Sequence, residues 1–457
     1  MSKYGEYRHI DLPWLKEIPA HWDIWRNKNI FTEIKEEVGK NASSYTLLSL
    51  TLNGIVPRDV ESGKGKFPEK FDKYKVVKPG YMAFCLFDID ETPRTVGLSS
   101  FDGMLTGAYT IMRVDNINPR FAYYYYLSLD NAKAMRPLYS GLRKTINVGV
   151  FQGTKMPIPP KEEQDAIASF LDWQISKVNR LIDLKKKEIS KLTELKKTVV
   201  NKAVTHGLNP NVPMKLSGVE WLGEIPAHWT TIKLRQILHP FSEKNHPELP
   251  LLSVVREQGV IIRNVESKEE NHNYVPDDLS NYKLVKQGQF TMNKMKAWQG
   301  SYGVSKYDGI VSPAYFVFNL KCDINRDFFN AAIRSKAYVN YFGQASDGIR
   351  VGQWDLSMAR MKDIPLLVPP REEQDQIVRF LDWKVSNINK LINIKKKEIK
   401  AIDALKRSMV SHAITRGLTT DAPMKDSGVK WLGDIPAHWK ITKLRQILHP
   451  VSEKNHP

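Results

Sequence analysis

Three histidines recur in one repeated phrase, and they are the first residues whose type could support metal or acid–base chemistry. His21, His228 and His438 each stand between alanine and tryptophan in Pro-Ala-His-Trp. No second ligand lies at metal spacing, since HExxH and CxxC pairs are absent and the two cysteines, Cys85 and Cys322, are far apart. Structural turns are therefore expected for the histidines, and reduced thiols for the cysteines. Glu162-Glu163 and Glu372-Glu373 could be paired acid–base carboxylates. Each pair follows Pro-Pro at the start of a helical run, where negative charge is favoured by the helix dipole. The chain has no GxxxxGK(S/T) phosphate loop, no glycine-rich fingerprint and no Asn/Asp-Pro-Pro-aromatic motif. Acids spaced with a lysine, as a nuclease would need, cannot be assembled. The residues predict no catalytic site and no metal.

Binding chemistry is better represented. The net charge is +18 and the pI about 9.5, which favours a polyanionic partner, nucleic acid before membrane. Basic residues sit beside glycines in predicted loops: Arg58 in NGIVPRD, Lys64 and Lys66 in SGKGKF, and Arg143 and Lys144 in SGLRKT. Further along, Arg263 falls in GVIIRN, Lys294 and Lys296 in MNKMKAW, and Arg350 in DGIRVG. Glycine lets the backbone approach a phosphate, and arginine or lysine can fork onto a guanine edge. Arg143 and Arg350 occupy matching places after Ser-Gly and Asp-Gly, which makes them the better candidates for DNA contact. A surface lysine in a basic protein is otherwise most simply a solvated one.

The elements that would position these loops are written twice. WLKEIPAHW at residues 14–22 returns as WLGEIPAHW at 221–229 and as WLGDIPAHW at 431–439. KEEQD at 161–165 returns as REEQD at 371–375, and FLDW at 170–173 returns at 380–383. A period near 210 residues is domain duplication and is too long for a solenoid. Between the markers, short β-like runs at 81–86, 108–114 and 314–320 alternate with turns. Helical stretches at 120–129 and 326–341 follow, so each unit reads as a compact α+β domain.

After Pro159-Pro160, residues 162 to about 205 lack glycine and proline and read as one helix; residues 372 to about 415 follow Pro369-Pro370 likewise. Leu171, Ile175, Val178, Ile182, Ile189, Leu192, Val199 and Ala203 keep four-three spacing, interrupted by Lys185 and Lys196. Leu381, Val385, Ile388, Ile392, Ile399, Ile402, Met409 and Ala413 repeat it, with Lys395 and Lys406 in the same gaps. Two helices with one seam in one register are expected to pair as a coiled coil. Some 40 residues would span roughly 60 Å, the length of about 18 base pairs, so the pair would be a spacer. Residues 177–202 carry nine basic and three acidic side chains, and residues 387–412 seven and two. They supply more than half of the excess charge, for a solvated face, for phosphate attraction or for a partner subunit.

Ile158-Pro159-Pro160-Lys161-Glu162-Glu163-Gln164, with Ile167 and Phe170-Leu171-Asp172, and the second copy at 368–382, resemble the specificity subunit of type I restriction–modification enzymes. The resemblance runs over residues 3–418. It implies two tandem α+β target recognition domains, each reading one half of a split, asymmetric DNA site. They would be separated by two long helices forming an antiparallel coiled coil, with pseudo-twofold symmetry. It also implies double-stranded DNA, two modification (methyltransferase) subunits and two restriction (translocase/nuclease) subunits as partners. S-adenosylmethionine, ATP and Mg would be used only in those partners, leaving this chain non-catalytic and without a cofactor.

The expected divisions are residues 1–157 (first recognition domain), 158–207 (first helix), 208–367 (second domain), 368–417 (second helix) and 418–457 (a partial third copy). Residues 424–457 match 214–247 at 27 of 34 positions. A relic of recombination, or a segment packed against the N-terminal region, would each account for that copy. No run of about 18 apolar residues occurs and residues 1–8 lack a signal-peptide core, so a cytoplasmic location is expected. A stand-alone bipartite DNA-binding regulator is the competing expectation, and two divergent domains argue against its symmetric operator.

Overall fold

A computed structural model describes residues 6–58, 71–140, 144–264, 275–276, 278–321, 323–347, 354–418, 424–426 and 434–436. The chain divides into two compact units, Met1–Asp183 with Ile399–Pro457, and Leu184–Glu398. The division falls inside both long helices, so each unit contains a segment of each.

In unit 1 a four-stranded antiparallel sheet is built from β1 (Phe31–Ile34), β2 (Tyr81–Phe84), β3 (Val96–Leu98) and β4 (Thr110–Val114), in the order β1-β4-β2-β3. Period-two alternation sends Met82, Phe84 and Met112 into the main core, while Ala83 and Ile111 join a smaller cluster on the other face. Helix α1 (Pro119–Ala132) covers the main-core face with Phe121, Tyr125 and Tyr126. Asn118 caps it, accepting from the amides of Arg120 and Phe121, and Pro119 fills the first turn, where no amide partner is needed.

Unit 2 repeats the plan with β5 (Leu238–Phe241), β6 (Phe290–Asn293), β7 (Tyr302–Val304) and β8 (Tyr315–Leu320), ordered β5-β8-β6-β7. The helical stretch expected over 326–341 is two helices, Arg326–Ile333 and Lys336–Gln344. They break at Arg334 and Ser335. There the Arg334 guanidinium donates to the carbonyls of Tyr302 (2.7 Å), Arg256 and Glu257 (3.0 Å each), and Ser335 stands at the N-cap of the next helix. Local helix propensity yields to this three-carbonyl clasp.

The long helices are Lys161–His206 and Arg371–Arg416, 46 residues each. Each ends at a glycine in the left-handed region, Gly207 (φ +73°) and Gly417 (φ +71°), a conformation that closes a helix without a Cβ penalty. Within each unit their segments run antiparallel. In unit 2 Lys185 meets Glu398 at 2.7 Å, Lys395 meets Glu188 at 3.0 Å, and Lys196 donates to Asn389 at 3.3 Å. In unit 1 Lys406 donates to Asn179 at 3.2 Å. The four lysines that interrupt the apolar seam are therefore the residues that reach a polar group on the opposite helix. Leu171, Ile182, Leu381, Ile388 and Ile392 are buried, and Ile175, Val178, Ile189, Leu192, Val385, Ile399 and Ile402 are half-buried.

The repeated Glu-Glu-Gln-Asp motif ties each long helix to the α+β domain of its unit. In unit 1 Glu163 accepts from Trp22 Nε1 (3.2 Å) and lies 2.9 Å from His21 Nε2. Gln164, which is buried, donates to the Pro159 carbonyl (2.9 Å) and accepts from the Asn118 amide (2.8 Å). Asp165 accepts from Asn118 Nδ2 at 2.6 Å, which orients the residue that caps α1. Unit 2 repeats each contact. Glu373 takes Trp229 (3.0 Å) and His228 (2.7 Å), Gln374 takes Pro369 and Asn325, and Asp375 takes Asn325 Nδ2 at 2.6 Å. Beyond favouring a helix dipole, the second glutamate of each pair is thus a clamp. A buried amide with all its partners fixed gives the joint one geometry.

Candidate nucleic-acid interface

The hairpins that carry the basic loops are Leu48–Thr51 with Gly54–Pro57 in unit 1 and Leu252–Val255 with Gly259–Ile262 in unit 2. Arg58 and Arg263 follow the second strand of each. Both are half-buried, and their amides donate to Leu47 O and Leu251 O at 2.8 Å. The two arginines, picked from different sequence phrases, stand at one structural position.

Lys294 is half-buried and pairs with Asp355 at 2.9 Å, whereas Lys296, in the same one-turn stretch, is exposed. Beside them Trp298 and Trp354 pack with ring centroids 5.1 Å apart. Lys144 is exposed, in the left-handed region (φ +47°), with Asp90 and Glu91 each 3.9 Å away. Lys64, Lys66, Arg143 and Arg350 lie outside the described residues.

One pair of lysines escaped sequence reasoning. Lys75 Nζ donates to the Tyr109 carbonyl and Lys283 Nζ to the Tyr315 carbonyl, both at 2.7 Å. Burial, with Lys244 and Lys294 nearby, pushes the Lys283 ammonium below its ordinary pKa. A half-buried ammonium with two further lysines beside it adds Lys283 to the candidates for contact with an anion. Lys244 bridges to Lys283, Lys283 reaches Tyr315, and Lys294 follows Asn293, the strand partner of Tyr315, so the three lysines gather at one end of the unit 2 sheet. The echo of Tyr74-Lys75 in Tyr282-Lys283 was the available signal. Where unit 2 places Asn293 Nδ2 against the Tyr315 hydroxyl (3.2 Å), the corresponding strand-end residue of unit 1 is the buried Cys85, whose thiol is pushed up by burial. Among the described residues no cluster of histidine, cysteine, aspartate or glutamate could hold a metal ion.

A second surface lies on the long helices. Trp173, Leu181, Leu184 and Leu195 are exposed on the first helix, and Trp383, Leu391, Ile394 and Leu405 on the second. Each pair is 210 residues apart, and at ~100° per residue each set of four falls on one side of its helix. Lys177 Nζ lies 3.4 Å from the centroid of the Trp173 ring. This stripe is distinct from the seam that faces the other helix.

Two α+β units of one sheet order, each joined to segments of the long helices by the same motif, define a duplicated-domain protein. Residues 95–194 and 226–401 match the type I restriction modification DNA specificity domain, and the chain belongs to that family. It is 26% identical over 287 residues to the type I restriction enzyme MjaVIII specificity subunit of Methanocaldococcus jannaschii, covering 58% of this chain and 62% of that one. It is 23% identical over 242 residues to the putative MjaX specificity subunit of the same organism, covering 49% and 53%. The matched region thus spans less than two thirds of either curated relative. A chain solved in a study of complex assembly and conformational transition of the type I R-M system shares the fold, with a TM-score of 0.57 at 14% identity over 88% of this chain and 99% of that one. No described helix is long and apolar enough to cross a membrane.

Proposed function

We propose that this chain is the DNA-specificity subunit of a type I restriction–modification complex, and that each unit reads one half of a bipartite, asymmetric double-stranded site. The observation that carries this reading is the combination of a repeated joint with unequal rims. Both units hold their sheet on the long helices through the same Glu-Gln-Asp contacts and place Arg58 and Arg263 at matching positions, while Asn293 meets the Tyr315 hydroxyl in unit 2 where unit 1 has the buried Cys85. Two equal frames with different rims suit two unlike half-sites better than the symmetric operator of a stand-alone regulator.

In this reading the long helices set the gap between half-sites. Their exposed stripes, headed by Trp173 and Trp383, dock two modification subunits, since apolar rows on water-facing helix sides are suited to a partner helix. Two restriction subunits complete the assembly. Methyl transfer from S-adenosylmethionine and ATP- and Mg-dependent cleavage belong to those partners, and this chain acts only by binding.

Affinity purification from the native cell tests the reading. Two methyltransferase subunits per chain are expected to co-purify, and Trp173→Ala with Trp383→Ala is expected to release them while DNA binding survives. A chain that purifies alone and binds a symmetric operator tightly would refute it.

A further inference from the structure

In unit 2 the chain leaves the first long helix at Gly207, and seven residues later it enters the hairpin Met214–Leu216/Glu224–Pro226. That hairpin delivers Trp229, fully buried, onto Glu373 and onto Ala203 and Val204 at the end of the helix it has just left. Lys215 fastens the element by donating to the Trp229 carbonyl at 2.8 Å.

Unit 1 contains the same receptor. Val410, Ala413 and Ile414 at the end of the second long helix share a core with Trp22, and Glu163 holds the Trp22 indole. Here the occupant comes from elsewhere in the chain. It is the N-terminal hairpin Tyr7–Leu12/Leu15–Pro19, whose Arg8 donates to the Trp22 carbonyl in the place of Lys215. The second long helix nevertheless ends at Gly417, and seven residues later its own copy of the hairpin begins. Met424 pairs with Pro436 and Lys425 with Ile435, the register in which Met214 pairs with Pro226 and Lys215 with Ile225. His438 and Trp439 follow at the spacing of His228 and Trp229.

We infer that unit 1 has one docking site and two interchangeable occupants: the N-terminal hairpin with Trp22, and the C-terminal hairpin with Trp439. The C-terminal copy has the tether that reaches this kind of site in unit 2, and it matches the unit 2 copy at 27 of 34 positions. Both occupants are held at high effective concentration by their own chain, so neither needs tight intrinsic binding to exchange. The N-terminal hairpin is thereby a docking element for which the chain carries a spare.

Variants in the full chain test this, with unfolding midpoints as the readout and Trp229→Ala as the benchmark that has no spare. Trp22→Ala is expected to lower the midpoint far less than Trp229→Ala, and Trp439→Ala to leave it unchanged. Trp22→Ala combined with Trp439→Ala is expected to be as damaging as the benchmark, or not to fold. In Trp22→Ala, amide exchange is expected to quicken over Tyr7–Leu12 and to slow over Met424–Asp426. The inference is overturned if Trp22→Ala fails to fold, if it equals the double variant, if Trp439→Ala alone is as harmful, or if the exchange pattern stays as in the parent chain.

Discussion

The two reading units share a sheet order and a joint, yet they solve the problem of a buried charge in opposite ways. Unit 1 buries a carboxylate. Asp130 accepts from Arg94 at 2.8 Å, Lys133 at 2.8 Å and Thr95 Oγ1 at 2.6 Å. Unit 2 encloses a guanidinium, the half-buried Arg334, satisfied by three backbone carbonyls, and desolvation holds it below its ordinary pKa. At the joint the same comparison gives no difference, since Gln164 and Gln374 make the same pair of bonds within 0.1 Å. The framework tolerates replacement of its interior electrostatics provided that the residues fixing domain to helix stay put. A protein whose heads must differ and whose arms must not would be built this way.

The largest expected effect breaks this comparison at the buried charges. Asp130→Ala leaves the half-buried Arg94 and Lys133 without the buried carboxylate they share and is expected to cost unit 1 about 3–5 kcal/mol. Arg334→Met removes only hydrogen bonds to neutral carbonyls and is expected to cost about 1–3 kcal/mol. Urea unfolding ranks them, and an equal loss in both would mean that the two solutions are energetically the same. At the joint, Gln164→Ala and Gln374→Ala are each expected to cost about 1–3 kcal/mol. The two losses should agree to within about 0.5 kcal/mol, and a clear inequality would show that equal geometry hides unequal function.

DNA binding sharpens the contrast further. Arg58→Ala and Arg263→Ala are each expected to relax preference at one half-site by about 1–3 kcal/mol, in different halves. Competition binding against half-site variants reads this directly. Lys296→Ala is expected to weaken binding uniformly and to lower the salt slope by about one, as loss of a phosphate contact does.

The smallest effect is in pH. Asp165 and Asp375 are held below the usual carboxylate range, first by Asn118 and Asn325 and then by Lys161 and Arg371. A depressed folded-state pKa gives stability that is present above the unfolded value, about 3.9, and is lost as pH falls through the lower folded value. Asn118→Ala and Asn325→Ala are expected to flatten that acid limb, as thermal melts between neutral pH and pH 3 would report.

Much of the scaffold was legible because its patterns are local. The four-three seam marks the long helices, and its lysine interruptions mark polar cross-contacts. The Glu-Glu-Gln-Asp phrase was visible as a repeat, but its partners Asn118 and Asn325 lie 46 and 49 residues from the glutamines, beyond any periodicity. The break at Arg334 was hidden for the same reason, since the carbonyls that hold it lie on strands and turns distant in sequence. The Lys283 cluster was hidden because Lys244, Lys283 and Lys294 belong to three separate stretches of the chain, which only the strand pairing brings together.

The account rests on two heads that read separately. Its most direct test replaces residues 208–367 with the matching segment of another family member and sequences the methylome of cells carrying the hybrid chain. The expected result is a bipartite methylated motif in which one half changes while the other half and the gap stay fixed. A motif that changes in both halves, or methylation that does not depend on this chain, would contradict it.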